Sequence, residues 1–80
     1  MTITLNKLEL DSSAIIESIK TDQPTKERLE SLGFLPGVRI FAVVKTPLGS
    51  SGVYLCLNSM IALREEVTAL IEVRLEANNE

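Results

Sequence analysis

Few side chains in this sequence are equipped for chemistry. There is no histidine, so the commonest general base and the commonest nitrogen ligand for a metal are both missing. The single thiol, Cys56, stands between Leu55 and Leu57 in an apolar run. There a small buried hydrophobe is the stronger reading than a reactive or ligating thiolate. One cysteine also excludes an intrachain disulfide and a Cys-x-x-Cys metal motif. Oxygen donors remain: Glu9, Asp11, Glu17, Glu65 and Glu66 could each help to hold a hard divalent cation. Their spacing gathers no three of them, and a borderline transition metal would also draw on nitrogen or sulfur. No tightly bound cofactor is therefore expected, and at most a weak divalent transition metal fits the sequence. Glu27 and Glu30 lie three apart on an expected helix, where a solvated face explains them better than a carboxylate site. Gly49-Ser50-Ser51-Gly52 has no helix after it to complete a phosphate loop, and its serines have no histidine to activate them. It reads as a hairpin loop, and the chain as no enzyme.

Surface recognition is what these absences leave. Val53-Tyr54-Leu55-Cys56-Leu57 is apolar at every position, although a single-layer sheet buries only alternate residues. If Tyr54 and Cys56 point inward, Leu55 and Leu57 point outward; the opposite phase exposes the other pair. Leu48 and Met60 flank this run, so Leu48, Leu55, Leu57 and Met60 are the candidate partner-binding residues. The alternative is that helices cover this face.

Eighty residues make one domain, 1–80, with a core near the lower limit for independent stability. Net charge is −3, and the eight basic residues are scattered, which argues against a nucleic-acid partner. No apolar run is long enough to span a bilayer, and the first residues lack the pattern of a signal peptide. A soluble, cytoplasmic protein without direct membrane insertion is expected.

The elements that would position the candidate surface follow from local pattern. Thr4–Leu8 forms either one helical turn or a loop that leans Leu5 and Leu8 on the core. Ala14–Lys20 fits helix and strand spacing alike, and its β-branched pair Ile15-Ile16 favours a strand. Asp22 and Pro24 mark the start of a helix that runs to about Leu32. Gly33 stops it: as the C′ residue with positive φ, it makes Phe34 the C″ residue and Leu29 its apolar partner. Pro36-Gly37 then bends the chain into a strand from Val38 to about Thr46. Further strands are expected at 53–57, 60–63 and 71–75. Asn58-Ser59 is the expected hairpin reversal, a helical turn fills 64–70 with Val67 and Leu70 inward, and 76–80 is a frayed tail.

Leu29-x-x-Leu32-Gly33-x-x-Pro36-Gly37 followed by a strand resembles the ferrous iron transport protein A (FeoA) family. Pro47-Leu48-Gly49, Ala62-Leu63-Arg64 and Ile71-Glu72-Val73 extend the likeness in the same order, from about Leu5 to Val73. The resemblance agrees with a mainly β fold with short helices, a small SH3-like β-barrel of about five strands with a helix between the first two. It departs from relatives that carry polar residues between the apolar ones of 53–57. It implies a small accessory or regulatory protein that contacts the cytoplasmic part of the FeoB-type membrane GTPase transporter, peripheral to the membrane through that partner. Two alternatives stand beside it: a stand-alone relative of the SH3-like domain of metal-dependent repressors, and a self-associating barrel that forms a homo-oligomer.

Overall fold

The computed structural model describes residues 1–46 and 51–76. Its elements run β1 (Thr2–Thr4), a 3-10 turn (Leu5–Lys7), β2 (Ser13–Ile19), α1 (Gln23–Ser31), β3 (Arg39–Lys45), β4 (Ser51–Cys56), β5 (Ser59–Arg64), α2 (Glu65–Thr68) and β6 (Ile71–Leu75). All pairings are antiparallel, in the order β1-β6-β2-β3-β4-β5.

Two expectations need correcting here. The described residues form six strands rather than five, because the short Thr2–Thr4 segment pairs with β6. The helix therefore lies between the second and third strands. The sheet is also not closed into a barrel: β1 and β5 are its two edges. It is instead a bent, open sheet, with bulges where one extra residue enters a strand. Glu17 is the extra residue in β2 and Val43 the extra one in β3.

The α1 helix starts as its residues dictate. Asp22 Oδ2 accepts from the Thr25 amide at 3.4 Å, and Pro24 occupies the first turn. Its end is a Schellman motif. Gly33 takes φ +96°, its amide donates to Glu30 O at 3.0 Å, and the Phe34 amide reaches back to Leu29 O at 2.9 Å. Leu29 and Phe34 are both fully buried, so the cap also inserts two large side chains into the core. Three residues on, Leu35-Pro36-Gly37-Val38 closes a type II turn. The Val38 amide donates to Leu35 O at 3.1 Å, and Gly37 has φ +92°. Gly37 N–H and Ile16 N–H then donate to Ile16 O and Val38 O, which ties the turn to β2.

The inner face of the sheet carries Ile16, Ile19, Ile40, Tyr54, Leu63, Ile71 and Val73, all buried. Leu5 and Leu8 close one end of this core from the 3-10 turn. The bulge at Val43 reverses the phase of β3, so that Lys45 falls on the face of Gly52 rather than that of Phe41. Lys45 Nζ thereby donates to Asn6 O at 2.9 Å and Leu8 O at 2.7 Å, holding the turn with charge-assisted hydrogen bonds. Val67 packs against the core as expected and Thr68 is buried beside it, while Leu70 is exposed, contrary to the helical spacing expected there. At the start of the expected tail, Ser13 Oγ donates to Glu76 at 2.8 Å. The rest of the expected tail, 77–80, lies outside the described residues.

Gly33→Ala tests the helix end. An added methyl would sit at a left-handed φ and within 3.0 Å of Leu57 Cδ1. The expected loss is about 1–2 kcal/mol, read as a lower urea midpoint with an unchanged slope. An unchanged midpoint would show that Gly33 is not required there.

Candidate partner-binding surface

Alternation along β4 decides which apolar residues face out. Tyr54 and Cys56 are buried, at 1% and 0% exposure, while Leu55 is 37% and Leu57 66% exposed. Burial raises the pKa of both the Tyr54 hydroxyl and the Cys56 thiol. Cys56 Sγ lies 3.4 Å from Gly33 O, a contact that belongs to the core.

The outward residues form rows across three strands. Phe41 pairs with Leu55, and Leu55 with Met60, so β3, β4 and β5 place an aromatic, a leucine and a methionine side by side. Phe41 and Met60 are exposed, Met60 at 64%. A second row, Val44, Val53 and Ala62, lies beside the first. Arg39, Phe41, Leu55 and Leu57 line a shallow groove of about 400 Å³. Three of the four residues singled out from the sequence thus come together here, and Leu48 lies outside the described residues. Phe41 and Arg39 were missed. Their signal was the alternation at the start of β3, where Ile40 and Ala42 are inward.

The hairpin tip has an unexpected geometry. Cys56 pairs with Ser59, so the reversal is Leu57-Asn58 rather than Asn58-Ser59. Positive φ falls on Leu57, at +56°, not on the asparagine beside it. The only other described non-glycine residue with positive φ is Asp11, a type that tolerates it. Leucine does so at a cost of about 1–2 kcal/mol. Strain at an exposed apolar residue points to a use other than stability. The tip is seated on Gly33, whose missing side chain leaves room for Leu57.

The rest of the outer face is different in kind. On β2 and β6 the charges answer one another. Arg74 Nε lies 2.9 Å from Glu17, and Lys20 Nζ 3.2 Å from Glu72. Lys20 and then Ser18 hold the Glu72 carboxyl below the usual carboxylate range. Ser13 and then Arg39 do the same for Glu76. Among the described residues no three His, Cys, Asp or Glu side chains gather as a metal site. Glu17 is engaged by Arg74 and Glu65 by the Asn6 amide.

The sequence profile of the FeoA domain matches residues 3–75. The chain belongs to the FeoA family. That family is linked to ferrous iron transport, and the chain is similar throughout to solved FeoA structures. The FeoA protein of Chlorobium tepidum superposes with a TM-score of 0.89 at 23% identity, over 98% of this chain and 74% of that one. Iron(II) transport protein A of Clostridium thermocellum is 33% identical with a TM-score of 0.83, over 91% of this chain and 45% of that one. FeoA of Stenotrophomonas maltophilia, solved with zinc and described as a prokaryotic SH3 domain protein, is 29% identical. Its TM-score is 0.77, over 89% of this FeoA domain and 88% of that chain. A manganese-dependent transcriptional repressor shares the fold alone, at 13% identity and a TM-score of 0.80 over 94% of this chain and 42% of that one. No curated protein matches the sequence of the chain.

Two outcomes follow for stability. Leu57→Asn puts a residue tolerant of left-handed φ at the tip and should stabilise the domain by about 0.5–1 kcal/mol in urea unfolding. A loss instead would mean that Leu57 packing outweighs its strain. Glu72 and Glu76, with folded pKa values below their unfolded ones, stabilise at neutral pH. That contribution is present above about pH 4.3 and disappears as pH falls through the folded values. The deficit of the Glu72→Gln, Glu76→Gln double variant should therefore be largest at about pH 7 and vanish near about pH 2. A deficit independent of pH would refute this assignment.

Proposed function

We propose that this FeoA domain is a small cytoplasmic accessory protein of a ferrous iron uptake system. It acts by docking on the cytoplasmic part of an FeoB-type transporter, which carries a GTPase domain. The observation that carries this reading is the apolar row Phe41–Leu55–Met60 beside a strained, exposed Leu57. Patches of this kind mark contact surfaces more often than scattered apolar residues do. Family membership supplies the iron-transport setting.

The site offers contact rather than reaction. Its lining is Arg39 with three apolar side chains, which supplies neither a general base nor a nucleophile. In this reading the domain regulates by binding one conformation of the transporter better than another, which shifts their populations. It holds no resident metal, and iron is the transporter's cargo. No helix among the described residues is long and apolar enough to cross a membrane; in this reading the domain reaches the membrane through its partner.

Calorimetric titration of the domain into the transporter's cytoplasmic domain tests the proposal. Leu55→Ser and Leu57→Ser should each weaken binding about tenfold, or about 1.4 kcal/mol, while leaving the fold intact by amide NMR. Affinity should also differ between the GDP-bound and GTP-analogue-bound transporter domains. Full affinity in both variants would rule out this face. Sedimentation of the domain alone separates a homodimer from a monomer that binds only its partner.

A further inference from the structure

Charge is segregated along this chain. From Ser31 to Arg64 there is no Asp or Glu, while Arg39, Lys45 and Arg64 all fall in that stretch. Strands β3, β4 and β5 thus carry only cations in a protein of net charge −3. Lys45 is committed to the carbonyls of Asn6 and Leu8. Arg39 and Arg64 are exposed, two residues before Phe41 and two after Ala62, and so on the outer face with them. The apolar rows run between two guanidinium groups.

Arg39 lines the groove together with Phe41, Leu55 and Leu57. Its Nε donates to one oxygen of Glu76, Oε2, at 3.1 Å, and Nη2 lies 3.0 Å from the same oxygen as an ion pair. A guanidinium has five N–H donors, so most of this fork is left for another acceptor. The pair is wet, with the Arg39 side chain 68% exposed, and exposed pairs of this kind exchange at little cost. Glu76 does not depend on Arg39 alone, because Ser13 Oγ holds its other oxygen at 2.8 Å.

We propose that Arg39 reads an acidic partner: on docking, its guanidinium exchanges Glu76 for a carboxylate of the partner, beside an apolar side chain that enters the groove. Glu76 is then an internal placeholder for that carboxylate. The occupant is an acidic amphipathic segment of the partner, and this rests on the docking reading above. A second copy fits less well. Two such faces pressed together would bring arginine-bounded patches against each other, and the carboxylate at the groove's edge, Glu76, is already held by Ser13 and Arg39 of its own chain.

The test sets two substitutions against each other in titrations with the transporter's cytoplasmic domain. Arg39→Gln should weaken binding about tenfold, and Glu76→Gln, which removes the competitor, should tighten it about two- to fivefold. Salt raised from about 50 to about 300 mM should erode the affinity of the wild type more than that of Arg39→Gln. A merely structural pair would make both substitutions act in the same direction, and that result overturns the proposal. So would equal affinity of wild type and Arg39→Gln alongside a loss in Leu57→Ser, although docking through this face would then stand. If the transporter domain fails to bind even the wild type, the docking reading fails instead. A second arm then decides the role of Arg39. The labelled domain is titrated with a synthetic helical peptide bearing Leu and Glu on one face, and with its Glu→Gln twin. Shifts at the Arg39 side chain and Leu57 that are stronger for the acidic peptide support the proposal. Equal shifts, or concentration-dependent self-association abolished by Leu57→Ser, refute it.

Discussion

The space left by one missing Cβ organises this domain. At Gly33 the chain turns left-handed, which ends α1 and sends Leu29 and Phe34 into the core together. The same bare Cα is the floor on which the β4–β5 hairpin tip rests, with Leu57 packed directly above it. The carbonyl of Gly33 faces the Cys56 thiol from within. A helix stop, a core contact and the seat of a surface loop therefore depend on one residue. The Pro36-Gly37 turn adds the second constraint by fixing where β3 begins relative to β2. With both in place, the outward phase of β3 and β4 is set, and with it the side chains on the outer face.

That outward surface divides by how its side chains are satisfied. On β2 and β6, Glu17, Arg74, Lys20 and Glu72 pair within the chain. Such exposed pairs contribute little to stability. Their effect is to leave that half of the sheet without surplus charge or apolar area. On β3, β4 and β5 the outward residues are apolar and end in arginines, of which Arg39 is paired with Glu76. The two halves therefore differ in what they present to solvent, paired charges on one and apolar rows on the other.

Much of this was legible in the sequence, and the failures have physical causes. Asp22, Gly33 and the Pro36-Gly37 pair are local devices, and residue type alone places them. Closure into a barrel is not local. It requires edge strands to meet, and β1, three residues long, pairs with β6 instead of β5. The bulges at Glu17 and Val43 each shift the alternation by one, and residue type alone does not mark where an extra residue enters a strand. The absence of Asp and Glu between Glu30 and Glu65 was in plain view. A list of basic residues hides it, because the information lies in where acids are missing.

Leu57 shows why local rules fail at this tip. Asn58 is the residue whose chemistry suits left-handed φ, yet the strand register puts the strain one position earlier. Cys56 has to point inward and pair with Ser59, so the loop must be Leu57-Asn58 and its first residue must take positive φ. Glycine would meet that demand without strain but would leave the groove one wall short. Leucine there costs backbone energy and, although it rests on Gly33, stays two-thirds exposed. In the docking proposal an apolar side chain of the partner covers this tip, and Arg39 at the groove's edge meets that partner's charge.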